Sequence, residues 1–207
     1  EIAAASRTEF KQLLAAEAVK ATEFEPTSGG HVPLWCVPER NPHFTGRDDV
    51  LQLLHAALTK DSAVALSQQR AVCGLGGIGK TQIVLQYAHL YRNQYRAVFW
   101  LRADDPANLR EDYGKFRELL KLPLREKIES EGTSVESAYL EEKDENPAVR
   151  AVLNWLETNS DWLLIVDNVD KPKLVKPFLP STNHGHILLT SREQNLSELG
   201  INPDRRI

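Results

Sequence analysis

The sequence is poor in the residues that mark disulfide-bonded, zinc-binding or membrane-spanning proteins. Its 207 residues include two cysteines and no methionine. Cys36 and Cys73 lie in unlike contexts without CxxC or Cys/His spacing, so neither a disulfide framework nor a zinc site is predicted. No apolar run approaches the ~18 residues of a membrane span, and no signal peptide opens the sequence. These absences favour a cytoplasmic protein without a membrane partner.

Strong charge of either sign is also lacking. The formal net charge is −4 at pH 7, which gives no electrostatic reason to expect a nucleic-acid partner. The length suits one α/β domain with appendages and is too short for two full domains. Because the sequence begins at Glu1 and has no methionine, we expect it to be an excerpt from a longer protein.

Three regions are predicted along the chain. Residues 1–25 are Ala-rich and predict a helix, which is either the end of an upstream effector domain or a linker helix that packs on the next domain. Residues 26–41 contain a Pro/Ser/Gly cluster and further prolines, so they predict an extended linker. The core domain is predicted over residues 42–207.

Within that core, apolar strands alternate with amphipathic helices. The predicted strands cover 70–75, 97–103, 162–169 and 186–192, with another beginning at 205–207, and the predicted helices cover 45–60, 79–92, 106–122 and 146–159. The acidic segment 123–146 is predicted to be an exposed excursion. Strands that are apolar on both faces and separated by helices predict an α/β fold with a parallel sheet between two helical layers.

The motif GLGGIGKT lies between a predicted strand and a predicted helix, as a phosphate-binding loop must. Its glycines let backbone N–H groups approach phosphate oxygens, and the following helix adds the positive end of its dipole. We expect Lys80 to contact the β- and γ-phosphates and the Thr81 hydroxyl to ligate Mg²⁺. A Gly-rich turn before an ordinary helix is the less favoured interpretation.

Two further strands are predicted to end at the same edge of the sheet. Asp167 follows the apolar run LLIV at the carboxyl end of its strand, where ligands of open α/β sheets bind, and it is the predicted acidic partner of Mg²⁺. Arg192 ends the strand HILLTSR and is expected to bond the γ-phosphate. Taken alone, either residue would be interpreted as an ordinary turn or surface residue.

Five stretches together resemble a known family in their order and spacing: HFTGRDDV, GLGGIGKTQ, FWLRAD, LLIVDNVD and GHILLTSRE. They are similar to the nucleotide-binding domain of the NB-ARC branch of the STAND ATPases, AAA+-related P-loop NTPases that include NLR-like signalling proteins. The exact residues of these motifs are most similar to those of bacterial or fungal members with tetratricopeptide-type repeats. The resemblance covers roughly residues 42–207 and implies a P-loop NTPase three-layer sandwich.

The resemblance also implies which residues hold the nucleotide. Phe44, Thr45 and Arg47 would lie at the adenine, and Gln82 would contact the α-phosphate through its backbone. Arg102 would lie near the γ-phosphate. The phosphates would be wrapped by Gly74, Gly76, Gly77, Ile78, Gly79, Lys80 and Thr81.

For the reaction, the resemblance implies that Lys80, Asp167 and Arg192 act on the phosphates, with Arg192 as the first sensor. Its strand order would place the sensor strand between the strand before the loop and the strand ending at Asp167. Members often carry a second acid after that aspartate to polarise the attacking water. This chain has Asn168 there, so base assistance is lost unless Asp170 or another carboxylate substitutes.

The function implied is a slow ATPase at most, which uses ATP or ADP and Mg²⁺ to bias a larger protein between a closed form and an open oligomer. The setting implied is innate immunity or programmed cell death signalling. Expected partners are an adenine nucleotide, further copies of the full-length protein, an upstream effector domain and a downstream repeat sensor. The helical and winged-helix lid domains of the family are missing from this stretch of sequence.

Two alternatives come from different classes of protein. A small-molecule P-loop kinase would need a lid, for which the acidic segment 123–146 is the only candidate in the sequence. An interaction scaffold with a vestigial site would need no intact phosphate chemistry, which the presence of Lys80, Thr81 and Asp167 disfavours.

Overall fold

The computed structural model describes residues 33–59, 69–123, 146–181, 184–202 and 206–207, which belong to one unit, Pro33–Ile207. The strands are β1 (Leu34–Cys36), β2 (Gln69–Cys73), β3 (Ala97–Arg102), β4 (Trp162–Asp167) and β5 (His186–Ser191). The helices are α1 (Asp48–Thr59), α2 (Lys80–Leu90), α3 (Pro106–Leu119), α4 (Pro147–Thr158) and the single turn α5 (Pro172–Val175), with 3₁₀ turns at Arg92–Gln94, Lys176–Phe178 and Ser197–Leu199. The predicted helix in residues 1–25 and nearly all of the acidic segment lie outside the described residues.

The five described strands form one parallel sheet in the order β1-β3-β4-β5-β2. Parallel neighbours cannot be joined by tight hairpins, so the chain crosses over through helices between them. The predicted strand order is confirmed, since β5 lies between β2 and β4. The strand before the phosphate loop, the sensor strand and the strand ending at Asp167 therefore finish side by side at one edge of the sheet.

Both faces of the sheet are buried, which confirms the predicted three-layer α/β fold. Successive side chains of a strand point to opposite faces. In β4, Leu164 and Val166 join the core formed with α3 and α4, whereas Leu163 and Ile165 join the core formed with α1 and α2. Each such fully buried side chain contributes roughly 1.5–3 kcal/mol relative to an exposed one. This double burial is why the strand is an uninterrupted apolar run.

The predicted domain start at residue 42 is too late. Leu34–Cys36 form strand β1, which pairs in parallel with β3 at the edge of the sheet, and the Leu34 N–H donates to the Arg96 carbonyl at 2.9 Å. Prolines favour extended backbone and are tolerated beside an edge strand, where a missing N–H costs no internal hydrogen bond. The proline-containing segment therefore supplies an edge strand to the domain instead of an extended linker outside it.

At the opposite side of the sheet, where a strand is predicted to begin at 205–207, residues 206–207 form an isolated parallel bridge with β2 and no further named strand. The Ile207 N–H donates to the Ala71 carbonyl at 2.9 Å, and the Cys73 N–H donates to the Ile207 carbonyl at 3.0 Å. Strand β2 thus pairs with β5 on one side and has two backbone hydrogen bonds to Ile207 on the other. These bonds help to hold the end of the strand that leads into the phosphate loop.

Gly185 lies where no side chain fits. A Cβ at this position would lie 2.4 Å from Cδ2 of the Trp162 ring and 2.4 Å from the Trp162 carbonyl oxygen. The buried Trp162 ring cannot easily retreat, because its Nε1–H donates to the carbonyls of Leu156 and Asn159, both at 2.9 Å. The start of β5 is therefore packed directly against the first residue of β4.

We expect Gly185→Ala to lower the free energy of unfolding by about 1–3 kcal/mol, the usual cost of overpacking. Denaturant unfolding of the whole chain measures it. Gly114→Ala is the matched control: in α3 an added Cβ meets no atom within 4 Å, so alanine should raise stability by about 0.5–1 kcal/mol. Equal effects of the two substitutions would contradict this account.

A chain of polar side chains runs through the core between the sheet and helices α1 and α2. The His55 Nδ1 and Tyr87 hydroxyl are 3.2 Å apart, the Tyr87 and Tyr95 hydroxyls 3.2 Å, and the Tyr95 hydroxyl and His186 Nδ1 2.8 Å. Burial, with a smaller contribution from the charge of His55, lowers the pKa of His186 from 6.5 to about 4. The folded protein therefore holds this imidazole neutral.

Stability should consequently fall in mild acid. Between pH 6.5 and 4 an unfolded chain protonates this histidine while the folded chain resists, so the unfolded state binds more protons and the free energy of unfolding drops by up to about 3 kcal/mol. His186→Asn keeps an acceptor near Tyr95 but cannot titrate. Its unfolding free energy should decline less steeply over this range in denaturant titrations, and parallel curves for the two proteins would contradict the assignment.

Candidate functional site

The GLGGIGKT loop joins β2 to α2 with glycines in conformations that other residues avoid. Gly77 has φ +79° and Gly79, the N-cap of α2, has φ +92°, and an added Cβ would meet no atom within 4 Å at either position. The left-handed backbone, rather than crowding, therefore calls for glycine. No side chain caps α2, so its first N–H groups are available to an anion.

Lys80 begins α2 and folds back over the loop. Its Nζ donates to the carbonyl of Gly74 at 2.7 Å and to that of Leu75 at 2.9 Å, and the residue is only 9% exposed. These carbonyls hold the ammonium group against the loop without neutralising it. A positive charge is thus fixed where the loop and the helix N-terminus converge, as a phosphate group requires.

The predicted metal ligands are in direct contact. The Thr81 hydroxyl donates to Oδ1 of Asp167 at 2.9 Å, and the Thr190 hydroxyl donates to the same oxygen at 2.5 Å. Hydroxyl and carboxylate oxygens are the ligands that Mg²⁺ prefers. The residues present therefore fit a magnesium site between the start of α2 and the end of β4.

Asn168, the residue that departs from the family pattern, has a left-handed backbone with φ +66°. Asn and Asp enter this region more readily than other residues with a side chain. The Asn168 N–H donates to the Thr190 hydroxyl at 2.9 Å, which fixes the turn. Asn and Asp both tolerate this backbone conformation, so the fold does not explain why an amide is present at position 168 instead of a carboxylate.

Arg192, just beyond β5, forms an ion pair with Asp170. The Arg192 Nε donates to Asp170 Oδ2 at 3.0 Å, and Nη2 donates to the same oxygen. The guanidinium lowers the pKa of the Asp170 carboxyl, which makes this carboxylate a weaker proton acceptor than a free aspartate. Asp170 is therefore poorly suited to replace the missing acid at 168.

These groups surround one cavity of about 450 Å³, within the usual range for a ligand pocket. Its lining comes from the phosphate loop, the start of α2, the turn after β4 and the end of β5. The lining residues are Gly76, Gly77, Gly79, Lys80, Thr81, Asn168, Thr190, Ser191 and Arg192. Strands far apart in sequence thus bring the predicted phosphate and metal residues to one place.

The predicted adenine residues lie apart from this lining. Phe44 packs partly against the α1 and α2 core, and Arg47, with φ +65°, precedes α1 and accepts the Leu51 N–H. Their segment is connected to α2, because Asn41 Nδ2 donates to Gln82 Oε1 at 3.1 Å. Contact of Phe44, Thr45 and Arg47 with a base, and of the Gln82 backbone with a phosphate, stays a prediction.

Three other predicted positions have different surroundings. Gly74 contributes its carbonyl to Lys80, and Ile78 is 52% exposed at the loop tip. Arg102, expected near the γ-phosphate, is instead held by α3: its Nη2 donates to Asp112 at 2.7 Å and to Glu111 at 3.1 Å. The two carboxylates engage its guanidinium at the end of β3, and Arg102 is not part of the cavity lining. Its contact with a γ-phosphate stays a prediction.

Thr190 is the residue whose role the sequence pattern did not reveal. Its position places it at the sheet edge, two residues before Arg192. The two hydroxyl residues that follow the apolar run ILL, Thr190 and Ser191, were the available signal. Its contacts with Asp167 and Asn168 depend on the pairing of β4 with β5, which the local sequence does not specify.

In the part of the chain that the structure describes, no helix is long and apolar enough to cross a membrane. Likewise, the described residues contain no cluster of three or more His, Cys, Asp or Glu side chains that could hold a metal by themselves. A divalent ion at Thr81 and Asp167 would therefore need oxygens from a ligand or from water, as Mg²⁺ in nucleotide sites commonly does.

Comparison with known proteins finds a relative with a similar sequence and a solved structure with a similar fold. No protein-family model matches the chain. It is 27% identical over 171 residues to a nucleotide-binding leucine-rich repeat (NLR)-like protein of Hyaloscypha variabilis, covering 74% of this chain and 16% of that protein. The crystal structure of Cdc6p from Pyrobaculum aerophilum matches with a TM-score of 0.50 at 16% identity, covering 83% of this chain and 46% of that one.

The chain thus spans about one sixth of the length of the NLR-like protein and less than half of the Cdc6p chain. The structural match supports the fold, and the sequence match confirms the resemblance first seen in the motifs. Together with the loop, the strand order and the cavity, they lead to one conclusion. The chain is a domain with the P-loop NTPase fold, similar in sequence to part of an NLR-like protein.

Proposed function

We propose that this domain binds ATP or ADP with Mg²⁺ and that the bound nucleotide switches a larger protein between two states. One observation carries the proposal: Lys80, Thr81 and Arg192 line one cavity, and the Thr81 hydroxyl donates to Asp167 beside it. Two strand ends and a helix N-terminus supply them. An ordinary glycine turn would not bring a buried ammonium, a metal-binding oxygen pair and an arginine together.

The residues divide the work of binding between them. The loop N–H groups and the α2 dipole would hold the phosphate oxygens, and Lys80 would add a fixed positive charge. Thr81 and Asp167 would hold Mg²⁺, which neutralises charge on the phosphates when it is bound. Adenine contacts from Phe44, Thr45 and Arg47 belong to the proposal as well.

Arg192 supplies a means of distinguishing the two nucleotides. Its guanidinium is paired with Asp170 and lies at the cavity wall, so a γ-phosphate would compete with the carboxylate for the same donors. Only ATP carries a γ-phosphate, so only ATP would compete with Asp170 for Arg192. Because a ligand shifts an equilibrium only by its differential affinity for two states, this change of partner is the proposed origin of switching.

Hydrolysis would be slow in this site. Asn168 cannot accept a proton, and the pairing with Arg192 makes Asp170 a weak base. Slow turnover suits a switch, since each state then persists.

We further propose a cytoplasmic protein of innate immunity or programmed cell death signalling, with an upstream effector, a downstream repeat sensor and self-association of the full-length form.

Removal of the Lys80 charge should abolish most nucleotide binding. We expect Lys80→Ala to weaken ADP affinity by roughly 10- to 100-fold, the loss of one or two charge-assisted hydrogen bonds. Isothermal titration in the presence of Mg²⁺ measures this. Lys115→Ala is the matched control, because that lysine pairs with Glu111 and Asp112 on α3 and should leave affinity unchanged.

If the wild-type chain binds neither ADP nor ATP, the proposed function is wrong and a scaffold with a vestigial site is favoured. Phosphoryl transfer to small acceptors at rates well above hydrolysis would favour the kinase alternative instead.

A carboxylate at position 168 should accelerate hydrolysis. We expect Asn168→Asp to raise the rate at least about tenfold by supplying a general base, without a comparable change in nucleotide affinity. Asp tolerates the left-handed backbone there, so the fold should be kept. Phosphate release under single-turnover conditions measures the rate.

Asn168→Gly is the control, since glycine also accepts φ +66° but adds no carboxylate. A similar acceleration in both variants would implicate the backbone, and an unchanged rate in Asn168→Asp would show that the missing acid does not limit turnover.

A further inference from the structure

The geometry points to Thr190 as a positioning residue that holds the metal carboxylate of Asp167 in its ligating orientation. The inference rests on the proposed binding of Mg²⁺ and nucleotide and deepens it. Neither the motifs nor the comparisons assign Thr190 a role. Its contacts, burial and place in the sheet each support one.

The contacts fix the direction of the Thr190 hydroxyl. Its oxygen accepts the Asn168 N–H at 2.9 Å, so the single hydroxyl proton is free to donate to Oδ1 of Asp167, which lies 2.5 Å away. The residue is only 2% exposed, so water cannot readily replace either partner. A buried hydroxyl that must satisfy one donor and one acceptor has a single orientation, and it transmits that orientation to the carboxylate.

Thr81 and Thr190 reach the same carboxylate oxygen from different elements, Thr81 from α2 and Thr190 from β5. Thr81 is a predicted metal ligand, so its hydroxyl has a second role once an ion binds. Thr190 has no predicted ligand role. Its bond can therefore persist when the Thr81 hydroxyl turns its oxygen toward a metal, and it keeps the carboxylate from rotating away.

The turn after Asp167 is joined to β5 by two more bonds. The Val169 N–H donates to the Thr190 carbonyl at 2.8 Å, and the Ser191 hydroxyl donates to the Val169 carbonyl at 2.5 Å. The turn and the end of β5 thus form one hydrogen-bonded unit. Thr190 lies inside that unit, two residues before Arg192, and links the metal carboxylate to the strand that carries the predicted γ-phosphate contact.

The test is the Mg²⁺ dependence of ADP binding to the whole chain. Partners that orient metal ligands typically contribute 10- to 100-fold to metal affinity. We expect Thr190→Val, which keeps the shape and loses the hydroxyl, to raise the half-saturating Mg²⁺ concentration at least about tenfold. Thr190→Ser restores a hydroxyl and should stay near wild type. ADP affinity measured in EDTA should be the same for all three.

Tyr113→Phe serves as the matched control for the loss of a buried hydroxyl bond, since the Tyr113 hydroxyl donates to the Phe178 carbonyl away from the cavity. It should leave the Mg²⁺ dependence unchanged. If Thr190→Val does not fold, Thr190→Ala compared with Thr190→Ser gives the same contrast without the added methyl group.

Three results would overturn the inference. An unchanged Mg²⁺ dependence in the hydroxyl-lacking variant would do so while the proposed function stands. Equal losses of affinity with Mg²⁺ and with EDTA would show a merely structural role. Absence of ADP binding by the wild-type chain at every Mg²⁺ concentration would remove the proposed function and the inference together.

Discussion

One carboxylate oxygen, Oδ1 of Asp167, is the point on which the architecture of the site depends. It accepts hydrogen bonds from Thr81 at the start of α2 and from Thr190 at the end of β5, although Asp167 itself ends β4. Two residues that are 86 positions apart in sequence, Thr81 and Asp167, are thereby in contact. The fold thus brings three chain segments, the start of α2 and the ends of β4 and β5, together at this atom beside the cavity.

The parallel sheet makes that meeting possible at modest conformational cost. All described strands run in one direction, so their carboxyl ends lie at a common edge. Both faces are covered by helices, which leaves that edge as the open place for polar side chains. Burial fixes the strands, and the fixed strand ends hold Asp167 and Arg192 beside the helix start that carries Lys80.

Sequence patterns predicted the elements whose signals are local. The apolar runs gave β3, β4 and β5, and the glycine spacing gave the phosphate loop, because burial on both faces and left-handed turns leave marks in neighbouring residues. Strand β1 was missed as an element: three half-buried residues flanked by prolines carry no periodicity. The partners of Arg102 and Thr190 were missed for another reason, since ion pairs and hydroxyl bonds depend on residues that only tertiary pairing brings near.

The segment before the predicted adenine residues is joined to α2 by three side-chain contacts. His89 Nε2 lies 2.9 Å from the Pro38 carbonyl, Arg40 Nε donates to Gln86 at 2.9 Å, and Asn41 donates to Gln82. These helix positions lie on one face of α2. The three contacts therefore tie the segment to the helix, and a change in the position of one would be passed to the other. If a nucleotide binds as proposed, ordering of α2 at its phosphate end would also order this segment at its base end, which would couple the two halves of recognition without any change of shape.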